Sequence, residues 1–346
     1  SNWPGVWRRA SGYSINYLMP WSPSQPPIWQ AWQEQPFLHY PPLDKNQLNL
    51  ASLLAGSEGT LAVIKSLKVR LVPKPTVKVL VIKTYSGIIE ACDDVVRILE
   101  SKPSAIELIP GSLLELARTV PAYARAAAVI HGNPEAILAI EYYGDSHAQL
   151  IQAVRRMYPD QVIAETSEQQ QAVWSVRKAG LGLLGSRAGD EKPLAFIEDL
   201  SVPVEHLGQF VREMERILAD RQTKFEIYAH ASAGCLHIRP IINLKSISGR
   251  ETMQKIAEQA VDLTLRLGGA VSGEHGDGLA RSQWLERSFG SEIVDIFRIV
   301  KQAADPAGLL NPGKKLNPQE MKQNLRYGEE YGVSTWKTHL DFSPEA

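Results

Sequence analysis

The sequence predicts an α+β fold: a mixed, largely antiparallel sheet with helices packed on one face. Two observations carry this expectation. From Val77 onward, short runs rich in β-branched and apolar residues alternate with longer amphipathic runs. Several of the short runs place apolar and polar residues alternately, as strands with one covered face do. No internal repeat and no low-complexity tract interrupts the pattern.

Residues 3–50 are dense in Trp, Pro and Gln, with Trp21, Trp29 and Trp32 among prolines. Prolines at this density exclude long helices and central strands, and the tryptophans require burial, so an irregular segment packed on another surface is expected. Ala55 to Ile64 reads as a glycine turn feeding an apolar strand. Next, Leu67, Val69 and Leu71 alternate with Lys68 and Arg70, which predicts a strand ended by Pro73 and Pro75. Strands follow at 77–84, 105–110, 136–143, 195–202, 225–231 and 236–242. Helices are expected at 88–100, at 111–120 with Ser112 opening it, and at 146–158 with Ser146 as its cap. At 167–184, Ser167 and Gln170 have capping-box spacing. Pro203 stands at the first position of a helix that puts Val204, Leu207, Phe210, Val211, Met214 and Leu218 on one face. The helix at 250–267 repeats Met253, Ile256, Ala257, Ala260 and Thr264 and stops at Gly268-Gly269. A last amphipathic helix covers 292–304, and the tail from Tyr327 reads as a surface arm.

The chain has 346 residues, room for two domains or for one and part of another. Its formal net charge of −1 provides no global field for nucleic acid or an anionic membrane. Cys92 and Cys235 match no disulfide or zinc-finger spacing, which favours a reducing compartment. No apolar run approaches the ~20 residues of a membrane span, and no signal peptide is evident. A cytoplasmic location is expected. The start Ser1-Asn2-Trp3, without Met, is expected of a piece of a longer protein.

Candidate chemistry gathers in Tyr228–Pro240 and Ser272–Gly278, which hold three of the eight histidines. His230 and His237 flank a small-residue turn, so a hairpin would set their rings side by side; alone, they fit two histidines satisfied by backbone bonds. Glu274-His275 changes the balance. Bracketed by Gly273 and Gly276, both side chains can be aimed into one pocket. Two imidazoles and a carboxylate form a three-ligand divalent-metal set with open positions, leaving His275 as an acid–base group. Arg177 and Arg239 could hold an anionic substrate, or be plain surface charges. Glu198-Asp199, in an apolar strand, could orient an arginine or histidine. Cys235 is expected to be a small buried residue. Motifs for nicotinamide binding, nucleoside triphosphate binding and serine hydrolysis are absent from the sequence.

These residues resemble the FAD-linked oxidase family of the vanillyl-alcohol-oxidase fold, in its D-lactate, glycolate and D-2-hydroxyglutarate dehydrogenase branch. Gly56-Ser-Glu-Gly-Thr-Leu-Ala62 is similar to the family's flavin-domain turn, and Ser11-Gly-Tyr13 to the segment before it. His230 to His237 is similar to its His-x-Gly-Asp-Gly-Asn-x-His, with Ser-Ala-Gly-Cys at the centre instead. Ser272-Gly-Glu-His-Gly276 resembles the Glu-His motif, and Asp305 to Lys314 the C-terminal signature. The form of the histidine motif and the tail Leu340-Asp-Phe-Ser343 look like the long fused members, in which an iron–sulfur module follows.

The resemblance implies His230, His237 and Glu274 as ligands of a divalent metal, zinc being the expected ion, and His275 as catalytic base. It implies Arg177 and Arg239 as substrate contacts and Gly56, Ser57, Glu58, Gly59, Thr60 and Asn311 as FAD contacts. The implied partners are a small 2-hydroxy acid, a missing N-terminal FAD-binding half and a C-terminal iron–sulfur module, with peripheral contact at the inner membrane through the full-length protein. The implied organisation is a C-terminal remnant of the FAD-binding domain at 1–76, a substrate (cap) domain at 77–304 and a flavin-contacting segment with linker arm at 305–346. A fragment of this kind is expected to hold FAD poorly and to be inactive by itself. Two expectations of other classes stand beside it: a stand-alone metal-dependent hydrolase using the same His/His/Glu set, and a non-catalytic electron-transfer docking module acting through Trp21, Trp29 and Trp32.

Overall fold

The computed structural model describes residues 3–18, 50–69, 71–185, 189–323, 325–327 and 339. Trp21, Trp29, Trp32 and the tail Leu340–Ser343 lie outside the described residues. After the short helix α1 (Ala51–Leu54), the order is β1 (Val77–Tyr85), α2 (Ile88–Leu99), β2 (Ala105–Pro110), α3 (Gly111–Thr119) and α4 (Pro121–Ala127). Then come β3 (Ala136–Gly144), α5 (His147–Met157), β4 (Val162–Ala164), α6 (Ser167–Gly185), β5 (Lys192–Pro193) and β6 (Glu198–Ser201). The chain continues through α7 (Leu207–Ala219), β7 (Phe225–His230), β8 (Cys235–Ile242) and α8 (Ile247–Arg266). Helices α9 (Gly278–Arg281), α10 (Leu285–Phe289) and α11 (Ser291–Ala304) close it.

The strands form one sheet in the order β4-β1-β3-β2-β7-β8-β5, with β6 also paired to β8. Every pairing is antiparallel. The α+β class is therefore as expected, but the helices cover both faces rather than one. Strand alternation shows why. Val79 and Val81 of β1 enter one core with residues of α2, α5, α7 and α8, whereas Leu80 and Ile82 enter a second core with residues of α3, α4 and α6. Strands β1 and β3 are apolar on both sides, and that is what a sheet covered twice requires.

Helix ends depart from expectation in detail. Neither Ser112 nor Ser146 makes a capping bond; Ser112 Oγ instead donates to Glu226. The capping box before α6 sits one residue earlier, with Thr166 Oγ1 accepting from Gln169 N and Gln169 Oε1 accepting from Thr166 N. Among the described residues of 61–75, none forms the expected strands. Leu67, Val69 and Leu71 are exposed, because among the described residues no strand pairs with this run. The expected strand at 195–202 shortens to β6, broken by a register shift between Glu198 and Leu200.

A third apolar cluster joins distant parts of the chain: Tyr13, Leu61, Leu285, Phe289, Val294, Phe297 and Leu316. Among the described residues, no helix is long and apolar enough to cross a membrane. Phe210 has no exposed surface, so Phe210→Ala is expected to cost about 3–5 kcal/mol, measured as a lower urea midpoint. Leu71→Ala, on the exposed run, is expected to stay within about 0.5 kcal/mol.

Candidate functional site

Sheet register assembles half of the site. Glu107 of β2 lies opposite His230, and His237 of β8 lies between Tyr228 of β7 and Glu198 of β6. Ile106, Leu108, Leu236 and Ile238 point into the first core, so their neighbours Glu107 and His237 project from the opposite face. Arg239 follows His237 on that face. The turn between the histidines is a single 3₁₀ turn, Ala231–Ala233, closed by Gly234 at φ 64°. A Cβ on Gly234 would fall 1.9 Å from Val202 O, so the glycine is required there.

The other half is the loop 272–278, and Asp199 sets it. Asp199 occupies the β6 bulge at φ 80°, with no exposed surface. Its carboxylate accepts from Ser272 Oγ (2.5 Å), Glu274 N (2.9 Å) and His275 N (2.8 Å). Its main-chain carbonyl accepts from Gly273 N. Cys235 Sγ donates to it as well, and burial pushes that thiol above its ordinary range, which makes Cys235 a buried packing residue.

The loop brings Glu274 and His275 over the histidine pair. Glu274 Oε1 lies 3.0 Å from His230 Nε2, 3.4 Å from His237 Nε2 and 3.7 Å from His275 Nε2. The other oxygen, Oε2, pairs with Arg8. Hydrogen bonds from His230 and His237, with that from Arg8, hold the carboxyl well below the usual range. His230 also meets Glu107 Oε1 through Nδ1 at 2.6 Å. Burial opposes charge on this ring, but the bonds to Glu107 and Glu274 outweigh it and raise its pKa to about 9. His237 behaves oppositely: burial lowers its pKa, and its buried Nδ1 has no hydrogen-bond partner among the described residues. The histidine pair is thus not satisfied by backbone bonds.

Each arginine shares a carboxylate with an imidazole. Arg177 Nη2 lies 3.2 Å from Glu107 Oε2 and its guanidinium stacks 4.3 Å above Tyr228. Arg239 pairs with Glu198 Oε2, while Glu198 Oε1 lies 3.3 Å from His275 Nδ1. Neither arginine is a plain surface charge.

The donor set fits a divalent cation. Ligand atoms of Asp199, His237, Glu274 and His275 lie within 4.8 Å of one another. The Asp199 oxygens, however, are occupied by amides and a hydroxyl. His230 lies outside that group, but its Nε2, like those of His237 and His275, faces the one Glu274 oxygen, Oε1.

The glycine turn at 56–60 docks beneath this loop. Glu58, at φ 55°, accepts from Asp277 N (2.6 Å) and Gly278 N (2.8 Å). Lys315, 2 % exposed, bridges Asp277 (2.8 Å) and Glu58 (2.9 Å) and donates to Gly12 O. Asn311 Nδ2 donates to Glu58 O, and Thr60 is buried against Tyr13 and Ser57 O. Among the described residues, nothing stands within 4 Å of where Cβ atoms of Gly56 and Gly59 would be.

Sequence reasoning missed Glu107, Tyr228, Arg8, Asp277 and Lys315. A lone acid in the apolar strand Ala105–Pro110 was a usable signal for Glu107; nothing local marks Lys315 as buried.

These features define a sheet-borne cluster of imidazoles, carboxylates and guanidiniums beside a glycine turn. A family profile, FAD linked oxidases, C-terminal domain, matches residues 74–315, and the chain belongs to that family. A D-2-hydroxyglutarate dehydrogenase from Pseudomonas putida is 31% identical over 297 residues, covering 82% of this chain and 29% of the relative. A glycolate oxidase subunit from Bacillus subtilis is 28% identical, covering 77% and 57%. A mitochondrial D-lactate dehydrogenase [cytochrome] from Arabidopsis thaliana is 27% identical, covering 78% and 48%. The solved structure of p-cresol methylhydroxylase aligns at a TM-score of 0.50 with 13% identity over 70% of this chain and 53% of that one, a likeness of fold. The chain spans 29% of the length of the D-2-hydroxyglutarate dehydrogenase. The family is described as one of FAD linked oxidases, which gives the stand-alone hydrolase no support.

In the metal-free chain, the stability His230 gains from its two carboxylates is fully present below about pH 6.5, its ordinary value, and is lost as pH rises through about 9. The melting temperature is expected to fall over that window, and His230→Gln to flatten the fall.

Proposed function

We propose that this chain is the substrate-side portion of an FAD-dependent dehydrogenase of 2-hydroxy acids. Residues 1–76 would close the FAD-binding domain, 77–304 would form the cap, and 305–346 would contact flavin and lead on as a linker. The observation that carries the reading is the convergence of His230, His237 and His275 on one Glu274 oxygen, flanked by Arg177 and Arg239.

His230, His237 and Glu274 would hold the cation; their nitrogen and oxygen donors suit zinc. A bound cation would supply Lewis acidity toward the substrate hydroxyl, lowering its pKa. FAD, against Gly56–Thr60 and Asn311, would supply the acceptor for the hydride from C2. The protein's own residues do the remaining work. His275, braced by Glu198 at Nδ1, takes the hydroxyl proton at Nε2, and the 2-oxo acid is the product. Arg177 and Arg239 hold the substrate carboxylate, each backed by its own glutamate. Arg8 adds a third guanidinium, which favours a dicarboxylic substrate such as D-2-hydroxyglutarate over D-lactate or glycolate. The same reading puts the pyrophosphate contacts in an N-terminal half and an iron–sulfur module beyond the tail, on a cytoplasmic protein peripheral to the inner membrane.

The test uses the full-length FAD-bearing protein. His275→Ala is expected to lower D-2-hydroxyglutarate-dependent dye reduction about 10²–10⁴-fold while its metal content, measured by atomic absorption, stays at the wild-type level. Undiminished turnover would remove His275 as the base.

A further inference from the structure

Glu107 joins two residues with different tasks. In β2 it projects from the face opposite Ile106 and Leu108, directly across from His230. Its Oε1 lies 2.6 Å from His230 Nδ1, and its Oε2 lies 3.2 Å from Arg177 Nε and 3.2 Å from Arg177 Nη2. Arg177 is fixed in turn by α6 and by the Tyr228 ring. One carboxylate therefore touches an imidazole of the metal-type set and a guanidinium of the anion-binding set.

We propose that Glu107 is a positioning residue that couples metal binding to carboxylate capture. The inference rests on His230 being a metal ligand, as proposed above. A carboxylate at Nδ1 makes that nitrogen the protonated one and turns the Nε2 lone pair toward the cation. It also makes the ring a stronger donor. Arg177 fixes the rotation of the same carboxylate, so the aim of His230 depends on a residue that never touches it. Glu198 stands in the same relation to His275 and Arg239. The coupling is reciprocal: whatever orders one partner of Glu107 orders the other.

The probe is Zn²⁺ alone, with affinity measured by competition against a chromophoric chelator. Glu107→Ala is expected to weaken Zn²⁺ binding about 10–100-fold. Glu107→Gln, which keeps an acceptor for Nδ1–H and the side-chain volume, is expected to lose less. Arg177→Met is expected to weaken binding by at least about threefold in the wild-type background and to have no effect in Glu107→Ala. A merely structural role for Glu107 would leave the two losses additive. Wild-type affinity in Glu107→Ala, or additive losses, would overturn the coupling with the metal site intact. Absence of Zn²⁺ binding by the wild-type chain would overturn the site reading and the coupling together.

Discussion

The site depends on a buried carboxylate whose oxygens are taken up by the loop it carries. Asp199 is fully buried, yet its oxygens collect the hydroxyl of Ser272 and the amides of Glu274 and His275, while its carbonyl takes the amide of Gly273. Charge-assisted bonds of this kind offset the large cost of burying an anion, and they pin four consecutive residues at once. Two neighbours that would diverge on a regular strand, Glu274 and His275, are thereby turned toward one spot. The cost of the arrangement appears as backbone strain, with Asp199 held at φ 80° in the bulge that aims it.

A second buried charge anchors the same loop from below. Lys315 holds Asp277 and Glu58 together, and the Glu58 carboxylate accepts two loop amides besides. Burial works against charge on Lys315, but the two carboxylates outweigh it and raise its pKa; the same lysine keeps Glu58 ionised below its ordinary range. Such a network loses much of its value when one member is removed, because the remaining charges are left buried and unpaired. Asp199 and Lys315 thus grip the loop at its two ends. The N-terminal segment, the glycine turn and the C-terminal segment meet there, although Tyr13 and Thr60 are 47 residues apart and Gly12 and Lys315 are 303 apart.

What was legible in the sequence follows from this division. Elements with strong local periodicity were readable: α7 buries Leu207, Phe210, Val211, Met214 and Leu218 as spaced, and α8 buries Met253, Ile256, Ala257, Ala260 and Thr264. His230, His237, Glu274 and His275 were readable because glycine and histidine in short segments are informative types. The second covered face was harder, since continuous apolar runs such as Ala136–Gly144 do not reveal which layer each side meets. The run at 66–75 has the alternation of a strand but pairs with none among the described residues, because pairing is a tertiary property that period alone does not supply. Glu107 acts through partners 70 and 123 residues away, Asp199 through Ser272, 73 away, and Lys315 through Asp277, 38 away, and Gly12, 303 away; no local pattern records such pairs.

The pairing of charges also constrains how the site takes a cation. Glu107, Glu198 and Glu274 each have one oxygen on a guanidinium, from Arg177, Arg239 and Arg8, and one on an imidazole. The carboxylates are therefore compensated before any ligand arrives, and a cation must compete with what already compensates them. At Glu274 the competitor is a proton: His230, raised to about 9, carries one at neutral pH, and a metal can use Nε2 only after that proton leaves. With His230 in the proposed ligand set, affinity for the cation is expected to rise with pH up to about 9, one proton being released for each ion bound there. His237, whose pKa burial lowers, has no such proton to lose in the proposed ligand set. The two histidines are chemically unequal although they sit side by side: His237 is the more deeply buried, and Glu107 stands beside His230 alone.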